Sequence, residues 1–388
     1  MANDRAYMDW NATAPLLPSA RARMVDVLDM AGNPSSVHRE GRAVRTVIEE
    51  ARRSVAALVG AAPQNVTFTS GATEAACHVL TPHFRMGRSL LEIGHLMVSA
   101  IEHKAIGQGG RFARDQISVV PVTRDGVIDM EALESGLDAQ DPANGLVMLA
   151  LMLANNENGI IQPVREAARL VHAKGGLMVV DAVQAAGRLP VDIHDLDADF
   201  LILSSHKIGG PKGAGALVAR GEAMMPTPLI SGGGQEKGHR SGTENAAAIA
   251  GFGVAAREMA SGIEARARDL ALMRDRMEVE FRAIAPAIQI HGASVDRLPN
   301  TSFFSLAGLK AETGQIAFDL EGVALSAGSA CTSGKVGESH VLAAMGLDAR
   351  HGALRLSIGA STTTDEVDRT LEAFRRIVGR LKPVASAA

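Results

Sequence analysis

The chain is short of thiols: its 388 residues include two cysteines, Cys77 and Cys331. Two thiols can form one bridge at most, so a disulfide framework of the secreted kind is excluded and a reducing cytoplasm is the expected setting. The two cysteines do not stand at metal-ligand spacing. Cys77, His78 and His83 fall in or just after an expected helix, which favours packing over ligation. Long apolar runs are missing as well. The longest, "LVMLALMLA" at 146 to 154, is far short of the roughly 20 residues a membrane-crossing helix needs and reads as a buried strand. Positive charge is not in excess: 39 Lys and Arg stand against 43 Asp and Glu, a formal net charge of -4. That balance argues against a nucleic-acid partner or any polyanion-binding surface. The opening "MANDRAYMDWNATAP" has early acids and no apolar block of the signal-peptide kind, so export is not expected.

What is present suits a large globular core, with 46% hydrophobic and 21% charged residues and length enough for two domains. From residue 41 the pattern is helical, with Val44, Val47, Ile48, Ala51, Val55, Leu58 and Val59 on one face and Gly60 as a stop. Seven short apolar runs follow: "VTFTS", "HLMVSA", "ISVVPV", "GLVMLALML", "GLMVVDA", "FLILSS" and "GALVAR". Apolar on both faces and alternating with helices such as "PVREAARLVHAKG", they predict an α/β fold with a mainly parallel seven-stranded sheet flanked by helices. The pattern fades after about residue 250. There a long charged amphipathic segment, "REMASGIEARARDLALMRDRMEVEFRAI", leads into a smaller α+β C-terminal domain. Its last helix opens on a capping box of Thr363 and Glu366 and buries Val367, Leu371, Phe374, Ile377, Val378 and Leu381. The expected division is a large domain over 15–255 and a small one made of 1–14 and 256–388.

Ligands of parallel α/β sheets gather at the carboxyl ends of the strands, so the polar residues after each apolar run carry the most information. "SGATE" (70–74) sets small residues before a helix whose first N–H groups lack partners, which makes a phosphate cradle or an ordinary N-cap. Asp181 ends an apolar run with no cation beside it. It either caps the next segment or pairs with a protonated ring nitrogen. Lys207, after "DFLILSSH", is carried to the sheet edge, where partial desolvation turns a surface ammonium into a nucleophilic amine. Lys212, in "GGPKG", reads as a loop lysine. His103 in "EHK" stacks on a flat ring, carries a proton, or serves structure alone. Arg355, inside the apolar "ALRLSIG", requires an anion, either a substrate carboxylate or an internal acid. Cys331 sits in "GSACTSGK" among small polar residues rather than the apolar neighbours of a packed thiol, which makes it a reachable thiol or a plain loop cysteine. Taken together, a phosphate cradle, an anion for a ring nitrogen, a lysine for a carbonyl and an arginine for a carboxylate describe pyridoxal phosphate acting on an amino acid.

In order along the chain stand "YMDWNATAP", "GNPSSVH", "FTSGATE", "EHKA", "NNENG", "VDAVQ", "SSHKIGGPKG", "GGGQEKGHRSGTEN", "SAGSACTSG" and "LRLSIG". This series resembles the cysteine desulfurases of the class V aminotransferase family, close to the type that supplies sulfur for iron-sulfur clusters. The resemblance covers nearly the whole chain and implies a fold-type I transferase that uses pyridoxal 5'-phosphate. It implies that Lys207 holds the cofactor covalently, Asp181 pairs with the pyridine nitrogen, Gln184 contacts the ring oxygen, and His103 stacks on the ring and shuttles protons. Ala72, Thr73, Ser204 and His206 would surround the phosphate, with Thr243 reaching in from the partner subunit of a homodimer. Asn155 and Arg355 would bind the carboxylate of L-cysteine. Cys331 would take the sulfur as a persulfide, leaving L-alanine, for delivery to a sulfur acceptor protein, either a cluster scaffold or a thiolation carrier. The sequence departs from the family pattern at Ser205, where glycine is usual. Bulk beside Lys207 is expected to shift the cofactor's tilt. It departs again at Asn158, where an apolar residue or threonine is commoner. The alternatives are another enzyme of the same fold with an incidental Cys331, or a non-catalytic cofactor-binding protein. The joint presence of Arg355, His103 and Cys331 speaks against the second, because holding the cofactor needs none of them.

Overall fold

The computed structural model describes residues 5–328 and 338–381, so Cys331 lies outside the described residues. All seven expected strands form: β1 Val66–Thr69, β2 Ser89–Ser99, β3 Ile117–Val120, β4 Leu146–Met152, β5 Leu177–Asp181, β6 Phe200–Ser204 and β7 Gly215–Ala219. They lie in the order β3-β2-β4-β5-β6-β7-β1, and only β7 runs antiparallel to its neighbours. Alternation along β4 shows why the runs read as buried on both faces. Val147, Leu149 and Leu151 enter one apolar core, while Met148 and Ala150 enter the other.

The observed sheet has nine strands rather than seven. His83–Met86 pairs antiparallel with the first residues of β2 through a turn at Gly87 (φ 60°), and Met224–Pro226 pairs with it in turn. In His83–Met86 only Phe84 is buried, so this hairpin carries no apolar alternation by which to recognise it.

The Arg39–Leu58 helix buries the expected face and starts two residues early, because the His38 ring accepts the Gly41 N–H at 3.3 Å as an N-cap. The long amphipathic segment is two helices, Ala246–Ala260 and Ile263–Ile284, broken at Ser261 and Gly262 (φ 63°). The break follows from what each half buries. Phe252 and Ala255 pack under the large sheet, whereas Met277 and Phe281 enter a second core.

That second core covers a four-stranded sheet of Gln289–Ile290, Thr301–Ser305, Leu354–Ser357 and Ser326–Ala327. Phe281, Phe304, Phe318 and Phe374 meet in it, each contributing about 1.5–3 kcal/mol of burial. The N-terminal segment belongs here too: Ala6–Tyr7 pairs with Val323–Ala324, and Ala6 and Met8 are part of the core. The capping box forms as expected, with Thr363 N–H to Glu366 Oε2 at 2.9 Å and Glu366 N–H to Thr363 Oγ1 at 3.2 Å. The other Glu366 oxygen accepts the Tyr7 N–H at 3.2 Å, which binds the N-terminal strand to the last helix.

Candidate active site

A cavity of about 650 Å³ opens at the carboxyl ends of β4, β5 and β6, where the N-terminal segment crosses from the second core. Beyond β6 the chain makes a single turn, Ser205–Lys207, that swings the lysine into the cavity. Its Nζ donates to the carbonyls of Asn11 (2.6 Å) and Ala12 (2.8 Å). His206 Nδ1 lies 3.1 Å from Thr13 Oγ1, and burial with the charges of Lys207 and Lys212 pushes its pKa down to about 4. Asn11, Ala12 and Thr13 line the cavity, yet the sequence assigned them no role. Two of them act through backbone carbonyls, which side-chain identity does not reveal. Lys212 is an exposed loop lysine, as read, and also lines the cavity.

Asp181 is the last residue of β5 and faces the same space. Its Oδ1 accepts the Val183 N–H at 2.9 Å, and it forms no ion pair among the described residues. Burial pushes its pKa up to about 6, partly offset by Lys207. No helix follows for it to cap, which leaves an anion turned toward a cavity. Ala72 and Thr73 open the Ala72–Val79 helix and line the cavity with Ser204. The N-cap of that helix is Gly71, which has no side-chain cap, and a Cβ there would meet nothing within 4 Å. Open space therefore lies over a helix N-terminus, beside His206 and Lys212. These features fit pyridoxal phosphate: room for a phosphate on uncapped N–H groups, a buried carboxylate for a ring nitrogen, and a lysine amine within the same walls.

His103 lines the cavity, and its Nδ1 accepts the Ala105 N–H at 3.2 Å. Burial first, then the Lys207 charge, lowers its pKa and keeps the ring neutral. Gln184 is present as well, although its amide already donates to Asn11 O (3.1 Å) and accepts from Arg188 Nη1 (3.0 Å). Arg355 reaches in from the Leu354–Ser357 strand, 3% exposed. Both of its sequence-based readings have support. It pairs with the internal acid Asp9 (Nη2 to Oδ1, 2.7 Å) and donates to Asn156 O (2.9 Å), while its Nε is buried without a partner at the cavity wall.

Four expectations require correction or qualification. Asn155 is not at the cavity: its Nδ2 donates to Ile101 O (3.0 Å) and its Oδ1 accepts the N–H groups of Glu157 (2.8 Å) and Asn158 (3.1 Å), so the amide is used up by Ile101 and its own loop. Asn156 lines the cavity instead, with its Oδ1 buried and unpartnered. Ser205 does not crowd the lysine. It is fully buried outside the cavity, against Gly210, where a Cβ on that glycine would sit 2.1 Å from the Ser205 Oγ. Asn158 is also outside, its Oδ1 accepting the Ile160 N–H at 2.9 Å. Thr243 is exposed and does not line this cavity.

Residues 6–370 match the family model described as aminotransferase class-V. The chain belongs to that family. It is a pyridoxal phosphate-dependent enzyme of the cysteine desulfurase branch. It is 39% identical to a cysteine desulfurase of Cereibacter sphaeroides, over 98% of both chains. It is 35% identical to the cysteine desulfurase IscS of Dictyoglomus turgidum, over 98% of this chain and 96% of that one. Among solved structures, the NifS-like protein of Rickettsia africae superposes with a TM-score of 0.86 at 31% identity, over 97% of this chain and 99% of that one.

Proposed function

We propose that this enzyme takes the sulfur from L-cysteine, releases L-alanine, and holds the sulfur as a persulfide on Cys331 for transfer to an acceptor protein. The observation that carries the reading is the pairing of Asp181 and Lys207 in one cavity, an anion without an ion-pair partner among the described residues facing the same space as a lysine amine. Pyridoxal phosphate, when bound, supplies an electron sink for the amino acid's α-carbon. Asp181 is the group that keeps its ring nitrogen protonated, and the Ala72–Val79 helix N-terminus with Ser204 and His206 receives its phosphate. Lys207 would hold it covalently and, once the substrate's amine had displaced its Nζ, would take the substrate's α-proton there. His103, neutral and with Nδ1 accepting the Ala105 N–H, carries its proton on Nε2, from which it can donate. Arg355, together with Asn156 rather than Asn155, binds the substrate carboxylate.

In the sulfur step the Cys331 thiolate attacks the substrate sulfur. The S–S bond forms as the C–S bond breaks, the electron pair stays on the β-carbon, and protonation there with return of the α-proton from Lys207 gives alanine. In a homodimer Thr243 would serve the neighbouring cavity, a role that its exposure and absence from its own cavity support. A cluster scaffold or a thiolation carrier is the acceptor class the chemistry suits. No described helix is long and apolar enough to cross a membrane, and the two-thiol composition supports a cytoplasmic setting.

The test is Cys331→Ser. The variant is expected to keep the cofactor absorbance while alanine formation from cysteine and persulfide labelling are both lost. Alanine formation at the parent rate would overturn the assignment.

A further inference from the structure

Glu157 has no part in the scheme above, yet it is 2% exposed and lies where the substrate side of the cavity meets both flanks of the segment carrying Cys331. Its Oε2 accepts a hydrogen bond from Ser339 Oγ at 2.7 Å. A Cβ built on Gly328 would stand 2.8 Å from that same oxygen, so the glycine backbone lies against the carboxyl group. Cys331 follows Gly328 by three positions and precedes Ser339 by eight. Both flanks are themselves anchored: Gly328 N–H donates to Ala353 O at 2.9 Å, and Ser339 Oγ accepts the Leu342 N–H at 3.2 Å.

On its other side Glu157 is continuous with the substrate-facing loop. Its N–H is held by Asn155 Oδ1 at 2.8 Å. Its neighbour Asn156 presents an amide to the cavity and a carbonyl to Arg355 at 2.9 Å. His340 Nδ1 is 3.7 Å from Glu157 Oε1, too long for a hydrogen bond. A buried carboxyl group held by one hydrogen bond and the charge of Arg355 still costs stability that an apolar side chain of the same size would not. Packing alone therefore does not account for an acid here.

We propose that Glu157 is a positioning residue that fixes the two flanks of the Cys331 segment relative to Asn156 and Arg355, so that one loop sets both the substrate carboxylate and the acceptor thiol. The glycine at 328 follows from this arrangement. Any side chain there would press on Glu157 and on Phe303, whose ring is 2.6 Å from the same Cβ position.

The proposal rests on Cys331 being the sulfur acceptor, so its test includes a readout independent of turnover. In the holoenzyme, Glu157→Ala, Glu157→Gln and Ser339→Ala are compared for kcat and KM of alanine formation, for cofactor absorbance, and for the rate at which iodoacetamide alkylates Cys331, followed by peptide mass spectrometry to separate it from Cys77. With Glu157→Ala, kcat is expected to fall on the order of tenfold, since small displacements of reacting groups cost that much or more. Cofactor absorbance should be unchanged, and Cys331 alkylation should change at least about threefold in rate. Glu157→Gln keeps an oxygen for Ser339 and should recover both values to within about threefold of the parent. Ser339→Ala should move alkylation in the same direction as Glu157→Ala. Parent-like kcat and alkylation in Glu157→Ala, or a Gln variant no better than Ala, would overturn the proposal. Where Glu157→Ala does not fold, Ser339→Ala decides, and unchanged alkylation and kcat in it overturn the proposal. If Cys331→Ser still makes alanine, the acceptor assignment fails, while the alkylation rates still report whether Glu157 holds the thiol segment.

Discussion

The two sides of the cavity are built on opposite principles. Asp181, Ser204, His206 and Lys207 come from the ends of adjacent strands of one sheet, and burial there shifts two of them: Asp181 is pushed up to about 6 and His206 down to about 4. The facing side joins Arg355 to Asp9 across 346 residues of sequence and uses up the Asn155 amide on Ile101 O and its own loop. There the strong charges are paired before any ligand arrives. The contrast separates two tasks. A side that receives a cofactor keeps its mismatched groups on a rigid sheet, where the cofactor's phosphate and ring nitrogen relieve them. A side assembled from two cores needs internal ion pairs to hold its shape, and a buried pair is better suited to fixing geometry than to adding stability.

The sharpest way to break this contrast is Asp181→Asn. Catalysis should drop on the order of 100- to 1000-fold, the range seen when a preorganised charge partner is removed, while the cofactor stays bound. The same residue gives a pH test on cofactor-free protein. Its folded pKa, about 6, lies above the ordinary 3.8. Between those values the folded state binds more protons than the unfolded one, so the stability tied to Asp181 is full below pH 3.8 and is lost as pH rises through 6. The loss amounts to up to about 3 kcal/mol, reduced by water in the open cavity. The parent's Tm should therefore fall more steeply than that of Asp181→Asn over this window. Parallel curves would mean that the carboxylate is not strained.

Next in size is a pair of variants within one loop. Asn155→Ala removes four buried hydrogen bonds, one of them to the Met152 sulfur, and should cost about 2–3 kcal/mol, read as a lower Tm. Asn156→Ala should leave Tm nearly unchanged and raise KM for cysteine roughly tenfold, as expected for loss of a substrate contact. If the two effects are exchanged, the loop faces the other way. The smallest effect belongs to Ser205→Ala. Deleting a buried hydroxyl that has no partner should raise stability by about 1 kcal/mol without altering the cofactor's absorbance. A spectral shift would restore a direct influence of Ser205 on the ring.

These variants also mark where the sequence stops being informative. The seven strands, the helix face from Val44 to Leu58 and the residues at strand ends were readable because period and position carry them. Asp181 closes an apolar run and Lys207 follows one after a short polar turn, and a strand end has one direction to point. Asn155 and Asn156 are adjacent in a loop, and which one faces the cavity is decided by Ile101 O, 54 residues away. Ser205 turns toward Gly210 because Gly210 N–H bonds back to its carbonyl at 3.0 Å, a closure no local pattern announces. The break at Ser261 and Gly262 did have a signal, a glycine inside a helical pattern, but the amphipathic stripe on either side masked it.

Reduction of the holoenzyme with borohydride, followed by peptide mapping, tests the central claim most directly. The cofactor should be fixed on the peptide containing Lys207, with none on Lys212 or Lys104. Its recovery on another lysine, or on no lysine, would contradict the placement of the reaction at the end of β6.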